Sequence, residues 1–195
     1  MHSAKMFFLM MVSAIFLATQ PAWGGVEMGK TPKEVNLSGD LGGRLDGSAW
    51  STKELNGKVS VIFYVDPDEK DLNNEASDAL QKEKFPLDKF QSYAIINMDA
   101  SWLPNFAISS ALKDKQERYP TAIYVRDYDK VLVKAWDIAD DNSDVMAFDK
   151  QGRLVFMKYG KLNGSDIKTL IEVIRVQIDK QDTKSRVQPP AMNDR

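Results

Sequence analysis

Two residue types that carry much of protein nucleophilic and metal chemistry are nearly absent from this 195-residue chain. It contains no cysteine, and its single histidine is His2. Because residues 1–24 have the pattern of a secretory signal peptide, we expect the exported protein to lack imidazole as well as thiol. Such a protein has no Ser–His or Cys–His catalytic system and no Cys/His zinc site. We predict no catalytic residue, no metal ligand and no cofactor.

Carboxylates are the groups left for chemistry, and four of them follow a buried-looking run at Val59–Val65. They are Asp66, Asp68, Glu69 and Asp71. Asp66, Pro67 and Glu69 are typical of a capped helix start, with the aspartate at N-cap, proline at N1 and glutamate at N3. The alternative is a cation site built from clustered carboxylates. Capping alone explains the pattern, and an anionic ligand is unexpected at this acidic end in either case.

Aromatic side chains provide a second set of candidates. Tyr64, Trp102 and Trp136 could form a wall of a ligand site, although large aromatics more often belong to the core. Trp102 follows the end of a predicted strand and is expected to be the most exposed of the three. Open α/β sheets bind their ligands just beyond the carboxyl ends of the strands.

A further acidic segment, Asp137–Asp144, fails as a calcium loop. Val145 stands where the EF-hand pattern needs glycine, and Gln151 stands where it needs glutamate. We interpret the segment as a solvated loop.

Hydrophobic patterning predicts the elements that must position these residues. Buried strands are expected at Val59–Val65, Tyr93–Met98 and Thr121–Val125, separated by helices from Asp66 to about Glu83 and over Phe106–Arg118. Tyr128–Trp136 is expected to be a short helix or turn. A hairpin (145–148 with 154–157) and an amphipathic helix over about 165–178 follow. This order predicts an α/β fold with a central mixed β-sheet flanked by helices on both faces.

The ends of the chain are predicted to lie outside that domain. In residues 1–24, Lys5 precedes the apolar run Met6–Ala18, which as a helix is only about 20 Å long and short for a membrane span. Residues 25–46 form an expected N-terminal extended segment, and residues 47–180 the domain. Residues 181–195 are polar and are expected to be a disordered tail. The formal charge of −2 argues against nucleic acid as a partner.

Several short motifs, taken in order, resemble a known family. They include Trp50-Ser51, Gly57-Lys58-Val59, Tyr119-Pro120 and the stretch from Val145 through Asp149 to Arg153. Over about residues 47–178 the chain resembles the peroxiredoxin/TlpA-like branch of the thioredoxin fold, and more closely the YtfJ family of exported bacterial proteins. The resemblance implies a thioredoxin-like fold, a periplasmic location and a family without an established biochemical role.

The resemblance also locates a degenerate active site. The two cysteine positions of redox-active relatives fall near Asp68 and Asp71, and Ser143 or Asp144 stands where those relatives carry a cis-proline. We therefore expect a periplasmic protein that is inactive in thiol redox chemistry and binds a protein or a small ligand at this edge, without stable membrane insertion. The alternatives are a chaperone-like accessory protein with an exposed apolar patch and a carboxylate-based enzyme.

Overall fold

A six-stranded mixed sheet forms the centre of the molecule. The computed structural model describes residues 25–187, and their side chains as far as residue 180; the predicted signal peptide and residues 188–195 lie outside this range. The strands are β1 Asn36–Leu37, β2 Gly42–Arg44, β3 Trp50–Ser51, β4 Val59–Val65, β5 Phe90–Asn97, β6 Ala122–Asp127, β7 Ser143–Phe148 and β8 Leu154–Lys158. The α-helices are α1 Asn74–Glu83, α2 Asn105–Arg118, α3 Val131–Trp136 and α4 Gly164–Val187.

The sheet has the strand order β2-β6-β5-β4-β7-β8. β4, β5 and β6 are parallel, whereas β2, β7 and β8 join them in antiparallel pairs. Every residue of β4 is buried, as its unbroken apolar run predicts for a strand covered on both faces. The mixed sheet and the order of its main elements confirm the predicted fold class.

Helices cover the two faces of the sheet unequally. One face packs against α1, α2 and α4, with Ala76, Leu112 and Ile174 among the buried contacts. The other face packs against α3 and the N-terminal strands, where Trp50 and Trp136 lie in one cluster. The predicted placement of helices on both faces is therefore correct.

The N-terminal segment is part of this core rather than a separate extension. Leu37 is completely buried beside Trp50 and Trp136, and the Trp136 Nε1–H donates to the Lys33 carbonyl at 2.8 Å. β2, within the same segment, adds an edge strand to the main sheet. The division between residues 25–46 and 47–180 predicted from composition thus does not correspond to a division of the packing.

Two helix boundaries differ from prediction. The segment after β4 begins with a short 3₁₀ turn at Pro67–Glu69, and α1 starts only at Asn74. α4 continues through Val187, so residues 181–187 of the predicted disordered tail are helical in backbone. No helix among residues 25–187 is long and apolar enough to cross a membrane.

Candidate functional site

The carboxyl ends of β4 and β5 bring most of the sequence-predicted site residues to one edge of the sheet. Asp66 follows β4 directly and is buried, and its carboxylate accepts a hydrogen bond from the Asp68 N–H at 2.8 Å. It therefore caps the 3₁₀ turn in which Pro67 is the first residue. Burial raises the pKa of Asp66, and the nearby Asp68, Asp141 and Glu69 charges act in the same direction.

The other carboxylates of the acidic turn (residues 66–71) have separate partners. Asp68 accepts a hydrogen bond from Ser101 Oγ at 3.1 Å, and Asp71 pairs with Lys115 Nζ at 2.8 Å. Hydrogen bonds from Lys115 and Asn74 lower the pKa of Asp71. Glu69 is exposed. Across the described part of the chain, no group of three or more His, Cys, Asp or Glu side chains is arranged to hold a metal ion.

Ser143 occupies the predicted cis-proline position at the start of β7, opposite Val65 of β4. It is buried, and both its carbonyl oxygen (3.1 Å) and its hydroxyl (3.0 Å) lie within hydrogen-bond distance of Asn73 Nδ2. No peptide bond among residues 25–187 is cis. The neighbouring Asp144 is also buried, which raises its pKa to about 6.

Asn73 is a residue that the sequence did not single out. Its Nδ2 also reaches the Gly160 carbonyl at 3.1 Å, and its Oδ1 accepts from the Leu162 N–H at 2.9 Å. One amide side chain thus connects the start of α1 to β7 and to the loop before α4. Its one sequence signal was its position two residues after Asp71, the expected second cysteine site.

The aromatic candidates separate into core and surface. Tyr64 and Trp136 are buried, and Tyr64 donates from its hydroxyl to Asp127 Oδ2 at 3.1 Å. Their prediction as parts of a ligand-binding wall is wrong, because both rings lie within the sheet's second core cluster. Trp102 is 87% exposed, as expected from its position after β5.

Phe106 is the second exposed aromatic at this edge, with 79% of its surface accessible. It lies in the first turn of α2, four residues after Trp102. The Ser101–Asp68 hydrogen bond attaches the loop carrying Trp102 to the acidic turn. Asp99, at the end of β5, adds another exposed carboxylate. We call Trp102, Phe106, Asp68, Glu69 and Asp99 the aromatic–acidic edge.

Comparison with known proteins assigns the chain to a family. Residues 34–177 match the family model described as a bacterial protein of unknown function (YtfJ_HI0045). The chain belongs to the YtfJ family. An uncharacterized Haemophilus influenzae protein is 33% identical over 129 residues, covering 64% of this chain and 70% of that protein. The uncharacterized protein YtfJ of Escherichia coli is 26% identical over 130 residues, covering 65% and 70%.

Solved structures similar to this YtfJ-family chain are thioredoxin-like. The thioredoxin domain of a thiol-disulfide oxidoreductase from Bacteroides vulgatus aligns with a TM-score of 0.57 and 15% identity, covering 76% of this chain and 97% of that domain. An exposed lipoprotein thioredoxin from Streptococcus pneumoniae aligns with a TM-score of 0.50 and 15% identity, covering 72% and 98%. These similarities establish the fold. The chain itself has no cysteine.

Proposed function

We propose that this protein is exported to the periplasm and binds a partner protein at the aromatic–acidic edge, without thiol chemistry. The exposure of Trp102 and Phe106 carries the proposal. The two side chains are 87% and 79% accessible. They are four residues apart: Trp102 lies in the loop before α2, and Phe106 lies in the first turn of that helix. Tryptophan and other aromatics are typical anchors of protein interfaces, because each buries a large apolar area on binding.

The charges around this pair indicate the chemistry of the partner. Asp68, Glu69 and Asp99 are exposed, Asp68 is hydrogen-bonded to Ser101 of the Trp102 loop, and Asp99 lies 3.9 Å from Lys130 Nζ. A segment that combines apolar anchors with lysine or arginine would complement this surface. Absence of cysteine from the chain supports a role that needs no thiol–disulfide exchange. The apolar run at residues 6–18, preceded by Lys5, supports export.

Site-specific crosslinking in cells tests this proposal. A photoreactive amino acid at position 105, between the two aromatics, should give a discrete crosslinked species in the periplasmic fraction. We expect Trp102→Ala and Phe106→Ala each to reduce that species at least fivefold. Leu87→Ala is the matched control, since Leu87 is 56% exposed in the loop before β5, at the opposite end of that strand.

Purified partner should bind less tightly as salt increases, because exposed charges are screened. Absence of a discrete crosslink, or equal crosslinking by the Trp102→Ala variant, would contradict the proposal. Suppression of aggregation of unrelated unfolded proteins by the same surface would instead support the chaperone-like alternative.

A further inference from the structure

A cavity of about 110 Å³ lies between α1, α2 and the face of the sheet that they cover. Most of its walls are apolar: Phe63 and Ile96 contribute from the strands, and Leu80 and Leu112 contribute from the helices. The cavity is separate from the aromatic–acidic edge, because no residue of that edge lines it. It is therefore a second place at which this protein could bind another molecule.

Three small residues of the sheet create this space. Ser92 and Ala94 lie on β5, and Ala122 lies on β6 in register with Ser92. All three line the cavity and remain partly accessible, although β5 is a central strand of the sheet. A path from solvent therefore reaches the middle of the sheet between the two helices.

The charged groups beside the cavity oppose an ionic ligand. Lys115 Nζ is shared by Asp71 Oδ1 at 2.8 Å, Asn74 Oδ1 at 2.6 Å and the Lys70 carbonyl at 3.2 Å. An ammonium group has three donors, so Lys115 has none left for an anion, and the carboxylates of the acidic turn would repel one. The Lys115 charge, which lines the cavity, would repel a cation. These charges favour a neutral ligand.

Ser92 places a hydrogen-bonding group inside this mainly apolar space. Its hydroxyl has no partner among residues 25–180, whereas the hydroxyls of the lining residues Ser77 and Ser143 both interact with Asn73. Because the serine side chain is short, the strand backbone determines where this hydroxyl lies. A hydroxyl both donates and accepts, so it can pair with a hydroxyl or a carbonyl group of a ligand.

We propose that this cavity binds a small neutral molecule with a compact apolar body and one hydroxyl or carbonyl group, which hydrogen-bonds to Ser92 Oγ. An apolar cavity of roughly 150 Å³ takes a benzene ring, so the smaller volume here suits a body of about four or five carbon atoms. That body lies against Ala94, Ala122 and Leu112. An apolar lining with few polar groups is typical of small-molecule sites.

An NMR titration of the full chain with alcohols tests the site. We expect pentan-1-ol to bind saturably at millimolar concentration and to shift the amides of Ala94 and Ala122. Propan-1-ol, with two methylene groups fewer, should bind about 15-fold more weakly. Pentanoate and pentylammonium should each bind at least about tenfold more weakly than pentan-1-ol, because a charge is costly to bury.

Cavity-filling variants test whether the alcohol occupies this space. Ala122→Leu should lower the affinity for pentan-1-ol at least about tenfold, because the larger side chain takes the ligand's volume. Ala94→Val is a smaller filling of the same space and serves if Ala122→Leu does not fold. Ala49→Leu, at an exposed position that does not line the cavity, is the matched control and should bind as the wild type does.

The hydrogen bond to Ser92 is tested by a variant that leaves the cavity's shape nearly unchanged. Ser92→Ala should lower the affinity for pentan-1-ol about three- to tenfold. It should leave xenon binding unchanged, since xenon occupies apolar cavities without a hydrogen bond. Ser110→Ala, at an exposed position of α2 outside the cavity, is the matched control.

Several results would overturn the inference. Absence of a saturable pentan-1-ol shift, or unchanged affinity in the folded cavity-filling variants, would exclude the site. Equal binding of pentanoate or pentylammonium would exclude the neutral class, and equal affinities of Ser92→Ala and Ser110→Ala would exclude the Ser92 contact. Trp102→Ala should bind pentan-1-ol as the wild type does, so this inference and the proposed function can fail independently.

Discussion

Asn73 shows how hydrogen bonding holds together the edge that carries the active site in redox-active thioredoxins. Its buried amide contacts Ser143, Gly160 and Leu162, which come from two different parts of the chain. Substitution with alanine would leave the Ser143 hydroxyl and the Leu162 N–H without this partner in a buried setting. Buried polar groups that lose their partners cost about 1–3 kcal/mol each.

We therefore expect Asn73→Ala to lower the free energy of unfolding by about 2–4 kcal/mol. Asn74→Ala is the matched control, since Asn74 is only partly buried and should cost less than about 1 kcal/mol. Chemical denaturation of both variants gives the comparison. Equal losses in the two variants would show that the Asn73 network contributes little.

Asp144 makes stability depend on pH. Burial raises its pKa to about 6 from an ordinary value of 3.8, only partly offset by backbone N–H groups of Ala139 and Gly160. The folded state therefore binds more protons than the unfolded state between these two values. The contribution of protonated Asp144 to the free energy of unfolding is complete at low pH and is lost as pH rises through about 6.

Asp144→Asn should remove this dependence. We expect its unfolding free energy, relative to wild type, to increase from pH 4 to about pH 6 by roughly 1–3 kcal/mol and to stay level above that. Asp114→Asn, at an exposed position, is the control and should show no such trend. The measurement is denaturant unfolding at several pH values. A difference that stays constant across this range would contradict the assignment.

Residue types alone distinguished exposed from buried aromatics only in part. Trp102 could be predicted as exposed because it follows the end of a predicted strand. Tyr64 lies in a strand that is buried on both faces, so its burial follows from the same unbroken apolar run that predicted the strand. The hydrogen bond from the Tyr64 hydroxyl to Asp127, 63 residues later in the chain, depends on the order of the strands in the sheet. Sequence spacing alone could not predict it.

At the scale of elements, the late start of α1 has a tertiary cause that the capping pattern did not reveal. Asp66 and Pro67 do begin a helical turn, but it is of the 3₁₀ type and ends at Glu69. The following residues turn so that Asp71 and Asn74 meet Lys115 of α2 and Asn73 meets Ser143. Tertiary hydrogen bonds thus determine where the α-helix begins. Sequence patterns predicted the strands better, because their long apolar runs depend less on such contacts.

β2 is an element that the sequence did not indicate, and glycine makes it possible. Gly42 has a φ of +134°, and a Cβ on it would overlap the carbonyl oxygen of Arg126 on β6. Gly42 thus allows the two backbones to approach, whereas a Cβ on Gly43 would meet the carbonyl oxygen of Ser48 instead. The edge strand therefore depends on the absence of side chains, which no hydrophobic pattern reports.

Gly42→Ala should detach β2 from β6 and destabilise the fold by about 2 kcal/mol or more. Gly47→Ala is the matched control: Gly47 also has a positive φ, +86°, but nothing lies within 4 Å of the added methyl group. It should cost about 1–2 kcal/mol from backbone strain alone. Hydrogen exchange at the amides of β6 distinguishes the two, since faster exchange is expected only in Gly42→Ala.

For the whole molecule, the N-terminal segment determines whether the second core cluster is closed. Leu37 is completely buried there, whereas Leu41, only four residues later, is 42% exposed. We expect Leu37→Ala to cost about 2–5 kcal/mol and Leu41→Ala less than about 1 kcal/mol in unfolding free energy. Thermal and chemical denaturation provide the measurement, and similar small losses would show that the segment is peripheral.

The N-terminal segment also has a consequence for the timing of folding. The backbones of Gly29 and Lys30 exchange hydrogen bonds with Leu154, at the start of the last strand. In a chain synthesised from its amino end, Gly29 and Lys30 therefore lack these hydrogen-bond partners until Leu154 has been made. Contacts between such distant residues slow folding, because a long loop must close before they form. Late closure would keep the chain unfolded for longer, a property that would favour the export proposed above.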